Sequence, residues 1–152
     1  MLLQQDFAGK TLVYSTTNGT VALNMAASAD LVLAAALVNG AAVVDYACRH
    51  HAGRDIVLVC AGSGVEFNLE DFYGAGYLVS LLATSGIKFR FTDAARAAWL
   101  LHDRAGPAEC LVDTRVGRLM QSLHLDGDVT YCAQKSIFTG VPVFRDGHIR
   151  RA

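Results

Sequence analysis

Charge is scarce in this sequence and evenly signed. Charged residues make up 18% of 152, with 13 Lys and Arg against 14 Asp and Glu and a net charge of −1. No basic face is on offer for a phosphate backbone, so nucleic acid is excluded as an expected partner. Long apolar runs are missing too. The longest, such as LVLAAALV at residues 31–38, fall well short of the roughly 20 residues that span a bilayer, and no membrane association is expected. The opening MLLQQDFAGK lacks a basic start followed by an apolar stretch, so no secretory signal is expected and a cytoplasmic location is. The four cysteines (Cys48, Cys60, Cys110 and Cys132) form no CxxC pair, which argues against a zinc knuckle or a thioredoxin-type site. They are expected reduced, as small buried apolar residues. His102, His124 and His148 have no HxxxH or HExxH spacing, and GxxxxGK[ST] is absent. No repeat, linker or low-complexity tract interrupts the chain.

Apolar residues are abundant, at 53%. That excludes disorder, suits one domain with a sizeable core, and suggests that part of the surface is covered by another chain. A homo-oligomer is the expectation. The first half alternates between strand-like and helix-like patterns. Residues 11–15 (TLVYS) read as a strand, 21–28 as a helix, 30–37 as the start of a second strand and 40–51 as a helix. Residues 55–62 (DIVLVCAG) read as the strongest strand, followed by a helix over 69–84 that Gly86 ends. Continuous apolar strands separated by helices predict a mostly parallel sheet buried on both faces. In the second half, 92–104 and 108–124 read as helices and 126–135 as a short third. Residues 141–151 read as a hairpin turning at Asp146-Gly147. The expected fold is therefore a three-layer α/β/α domain with a mostly parallel sheet and a C-terminal β-hairpin.

Ligands of open α/β sheets bind beyond the carboxyl ends of the strands. Three loops would leave those ends, and all are rich in small polar residues. The first holds Thr16, Thr17, Asn18, Gly19 and Thr20 in one run. Such residues cap helices, but exposed N–H groups at a helix start also seat phosphate, and both readings stand. The second loop centres on Asn39. The third runs from Cys60 to Asp71, with Gly62 and Gly64 in its turn and Asn68 placed to cap the next helix. There Glu70 and Asp71 either complement the helix dipole or hold a hard cation such as Mg2+.

In combination these segments resemble one family. STTNGTVAL, ALVNGAAVVDYA, IVLVCAGSGVEFNLEDFYGAGYLVSLL and DVTYCAQKSIFTGVPVFRDGHI are similar, in that order, to the 2-phosphosulfolactate phosphatases. The resemblance implies an α/β fold, Mg2+ dependence and hydrolysis of a phosphate monoester on a small sulfonated acid, giving sulfolactate on a route to coenzyme M. The family's TTNGT element falls on Thr16, Thr17, Asn18, Gly19 and Thr20, and its asparagine after the second strand on Asn39. Its CAG element falls on Cys60, Ala61 and Gly62, its acidic pair on Glu70 and Asp71, and its CAQ element on Cys132, Ala133 and Gln134. The implied phosphate-binding set is Thr16–Thr20 with Asn39 and Gly62; the implied metal ligands are Glu70 and Asp71. Two departures stand out. Lys135 occupies a position that is usually acidic, and the sequence shows no Asp-Val-Leu-Arg-Ala type segment. The expectation is a single, N-terminally shortened domain. The alternative is a catalytically inactive remnant that binds a small anion or assembles with a partner chain.

Overall fold

A computed structural model describes residues 6–152. Helix α3 (Leu69–Thr84) is its centre. It carries apolar residues all round and buries Tyr73, Tyr77, Leu78, Val79 and Leu82, with Tyr73 fully enclosed. Such a helix needs cover on more than one side. Helix α2 (Gly40–His50) packs on one flank and α4 (Asp93–Arg104) on the other.

Glycine decides how closely these helices approach. A Cβ on Gly76 would sit 2.0 Å from the Ala98 carbonyl oxygen, so α3 and α4 touch backbone to backbone there. A Cβ on Gly40 would meet the Tyr77 ring at 2.7 Å, where α2 begins against α3. Two apolar clusters result. One joins Leu37, Tyr73, Tyr77 and Cys110; the other joins Val44, Leu78 and Leu82, with Leu58, Phe89 and Phe91 packed against it.

Helix ends follow local chemistry. Thr92 Oγ1 accepts from the Ala95 N–H at the start of α4, and Asp93 places negative charge in its first turn. The expected helix over 108–124 is broken in two. A single wide π-helical turn spans Ala108–Val112, then Thr114 Oγ1 accepts from the Gly117 N–H at 2.9 Å and starts α5 (Arg115–Ser122). Two shorter helices, α1 (Gly19–Met25) and α6 (Asp126–Cys132), complete the set.

The sheet departs from expectation. It has three strands, β1 (Val32–Leu33), β2 (Pro142–Arg145) and β3 (His148–Arg151), in the order β1-β2-β3, and both pairings are antiparallel. Val32 pairs with Phe144 and Leu33 with Val143; Pro142 pairs with Arg151. The expected hairpin forms, with Asp146 (φ 52°) and Gly147 (φ 73°) both left-handed, as a tight two-residue turn requires. The mostly parallel sheet does not form, so the fold is mixed helix and sheet. Residues 11–15 and 55–61 form no helix or strand, and among the described residues no backbone hydrogen bond joins either run to another segment. A strand exists only with a partner about 4.8 Å away, and among the described residues neither run has one.

Candidate functional site

The loop at residues 16–20 folds back on itself. Thr16 Oγ1 accepts from the Thr20 N–H at 3.0 Å, and Thr20 Oγ1 donates to the Thr16 carbonyl at 2.8 Å. Those two hydroxyls therefore close the turn. Asn18 holds the cap position of α1 but makes no cap bond. Its Oδ1 instead accepts from the Gly64 N–H at 3.0 Å, across 46 residues. The Thr17 hydroxyl and the Gly19 and Val21 N–H groups have no partner among the described residues.

The third loop is built on two left-handed glycines, Gly62 (φ 68°) and Gly64 (φ 64°). They flank a tight turn in which Ser63 and Glu66 exchange backbone hydrogen bonds of 3.2 and 3.1 Å. Asp71 Oδ2 accepts from the Gly62 N–H at 2.7 Å, so one oxygen of this expected metal ligand already holds the loop. The Gly62 N–H, in turn, is not free for phosphate. Asn68 does not cap α3. Its amide donates to Ser63 Oγ and its Oδ1 accepts from Arg115, both at 3.0 Å.

The first and third loops thus meet through Asn18 and Gly64, with Arg115 beside them. Asn39 stands apart. It is buried, its Oδ1 accepts from the Ala36 N–H at 2.8 Å, and its amide donates to the Ala34 carbonyl at 3.2 Å. It shapes the entry to α2. The adjoining backbone is pinned by the segment after the CAQ element: Ser136 donates its N–H to Leu37 and accepts on Oγ from the Ala41 N–H.

Glu70 is the outlier in electrostatics. Its Oε1 is buried and has no hydrogen-bond partner. A buried carboxylate oxygen left unpaired is costly, and a hard cation would satisfy it. No cluster of three or more His, Cys, Asp or Glu occurs among the described residues. Glu70 and Asp71 are adjacent in the first turn of α3, where neighbouring side chains point about 100° apart, and only Asp71 is tied to the loop, through Gly62. Desolvation, then the nearby Asp71 carboxylate, pushes the Cys60 thiol up, and desolvation with Asp128 does the same for Cys132. All four cysteines are free, as expected, but only Cys110 is buried; Cys60 and Cys132 are exposed.

Arg115 and Ser63 were invisible as site residues in the sequence. Arg115 lies 47 positions beyond Asn68, and its only local signal is the capping threonine before it. Two surface hollows, of about 120 and 400 Å3, lie along β1 and the hairpin instead of at the loops.

Residues 1–147 match the family described as 2-phosphosulpholactate phosphatase. The chain belongs to this family. It is 38% identical over 146 residues to the probable 2-phosphosulfolactate phosphatase of Carboxydothermus hydrogenoformans, covering 96% of this chain and 59% of the relative. It is 35% identical over 143 residues to that of Clostridium perfringens, covering 93% and 57%. A third relative of the same name, from Clostridium tetani, is 32% identical over 142 residues, covering 93% and 60%. The chain therefore spans about three fifths of the length of the curated relatives it matches. The Asn18–Gly64 hydrogen bond joins the threonine-rich loop to the loop that precedes the acidic pair, and Asp71 is tied to that loop through Gly62. No helix among the described residues is long and apolar enough to cross a membrane.

Proposed function

We propose that this chain contributes the phosphate and metal site of a Mg2+-dependent phosphatase acting on a small sulfonated acid, converting 2-phosphosulfolactate and water to sulfolactate and phosphate. The observation that carries this reading is the junction of a donor-rich loop with the loop that leads into the acidic pair, made by the Asn18–Gly64 hydrogen bond. Thr17 and the free N–H groups of Gly19 and Val21 would face the phosphate oxygens. Arg115 supplies the nearest cation on the loop cluster, tied to it by Asn68. Glu70 would hold the metal, and Asp71 would share it while keeping Gly62 in place. When bound, Mg2+ offsets phosphate charge and makes a bound water a better nucleophile. The relatives' names support the substrate class.

A second reading is that the site binds the anion without turnover. It is favoured by the runs leading into both loops, which make no backbone hydrogen bond to another segment among the described residues.

Calorimetric titration with inorganic phosphate, with and without Mg2+, tests the site. Two carboxylates repel a phosphate dianion, so phosphate should bind more tightly once Mg2+ is present, and Glu70→Gln should abolish that coupling. Arg115→Ala should weaken phosphate about tenfold, the size of one charge-assisted hydrogen bond. Equal phosphate affinity under every condition would reduce the acidic pair to a helix start. Release of phosphate from a phosphorylated hydroxy acid, present only with Mg2+, separates the phosphatase from the anion binder.

A further inference from the structure

The chain exposes far more surface than a folded monomer of its mass. Its accessible area is 10583 Å2 at 16.2 kDa, against about 7,500 Å2 for an ordinary compact domain of that mass. The excess is about 3,000 Å2, whereas five residues of unfolded chain contribute only about 900 Å2, so residues 1–5 cannot account for it.

Part of the exposed apolar surface lies on two runs without helix or strand. In residues 11–15, Leu12, Val13 and Tyr14 are all exposed, Val13 at 91%. In residues 55–61, Leu58 packs on Val44, Leu78 and Leu82, while Val57 (80%) and Val59 (62%) face outward. In residues 56–60 every position is apolar or cysteine, and in 12–14 every position is apolar, the composition of a strand covered on both sides. Their backbones make no hydrogen bond to another backbone segment among the described residues. Residues 87–91 provide a contrast. They too lack helix and strand, but Phe89 and Phe91 pack inward while Lys88 and Arg90 are exposed, and charge on the outer face is how an edge is guarded against further pairing.

We propose that residues 11–15 and 55–61 are strand positions completed by another polypeptide stretch, and that this stretch is the part of the family's length lying outside these 152 residues. It would add strands to their free backbones and an apolar layer over Val13, Val57 and Val59, a β-augmentation. The chain spans 59% of the C. hydrogenoformans relative, so the family carries enough further length to do this. A second copy of this chain is a poorer fit, since it offers the same unpaired runs and no separate covering layer. The two runs lead directly into the loops joined by Asn18 and Gly64, so completing the strands would also fix the site's walls. The inference rests on backbone pairing and exposed area and stands independently of the phosphatase reading.

The test is co-expression of this chain with a separate polypeptide carrying the part of the C. hydrogenoformans relative that it does not match, followed by purification through one partner and amide hydrogen exchange. A one-to-one complex in which the amides of residues 11–15 and 55–61 exchange at least about tenfold more slowly is the expected result. Val57→Pro, which removes one ladder donor at an exposed position, should weaken the complex about tenfold or more. Leu119→Lys, on the exposed face of α5, should leave it unchanged. The proposal is overturned if the two polypeptides do not associate, if they associate without protecting those amides, or if this chain alone protects them by pairing with its own copies. Phosphate binding or turnover is read separately in the same samples, so failure of the active-site reading leaves this outcome distinct.

Discussion

His102 sits against the rings of Tyr73 and Tyr77, with centroids 5.1 and 5.4 Å away, and its Nε2 is 2.8 Å from the Lys135 ammonium. An ammonium only donates, so Nε2 accepts and the proton of the neutral ring is on Nδ1, which is buried without a partner. The same Lys135 lies over both tyrosine rings. Partial burial, then the Lys135 charge, lowers the His102 pKa, while Asp103 raises it more weakly. The folded state therefore favours neutral His102. Below the ordinary histidine pKa of about 6.5, the unfolded chain takes up a proton that the folded chain refuses. Stability should be fully present above about pH 6.5 and fall as pH drops from there towards the lower folded value. Urea midpoints taken from pH 8 to pH 5 measure this, and His102→Gln should flatten the upper part of the fall. An unchanged slope in that variant would assign the loss to carboxylates instead.

The contrast between Gly74 and Gly76 tests packing at the scale of the helix. Both lie inside α3, and alanine favours a helix by up to about 1 kcal/mol over glycine. A Cβ on Gly74 meets nothing within 4 Å, so Gly74→Ala should stabilise by up to about 1 kcal/mol. A Cβ on Gly76 overlaps the Ala98 carbonyl, backbone that cannot rotate away, and α4 must move. Gly76→Ala should therefore cost about 1–3 kcal/mol despite the better propensity. Thermal unfolding of the two variants should shift in opposite directions. Helix α3 was legible to the residue in the sequence, because its apolar residues and its flanking turn signals are local. The hairpin was legible for the same reason, through Asp146-Gly147. The break at Thr114 was not, since it depends on Thr114 capping α5 and on Gly117 lying against the Leu111 carbonyl. At the site, the threonine loop and the acidic pair could be picked out by composition. That Asn18 would bond Gly64, that Asp71 would hold Gly62, and that Asn39 would face inward all depend on partners distant in the chain or on fold geometry that composition does not carry.

Residues 11–15 and 55–61 have the composition of buried strands, but neither forms a strand, because neither pairs with another segment among the described residues. That mismatch has a measurable counterpart in the whole molecule. An unfolded chain of this mass exposes about 23,500 Å2 and a compact fold about 7,500 Å2, so ordinary unfolding exposes about 16,000 Å2. From 10583 Å2, unfolding of this chain exposes only about 13,000 Å2. The urea m-value follows the area newly exposed, and should therefore be about four fifths of that for a compact domain of equal length. Pairing of the two runs with the family's further stretch would raise it. Urea titration of the isolated chain at several protein concentrations measures both. A low m-value that is independent of concentration is the expected result. A full-sized m-value at low concentration would mean that the chain covers its own apolar runs in solution. One that reaches full size only at high concentration would mean that its copies cover each other.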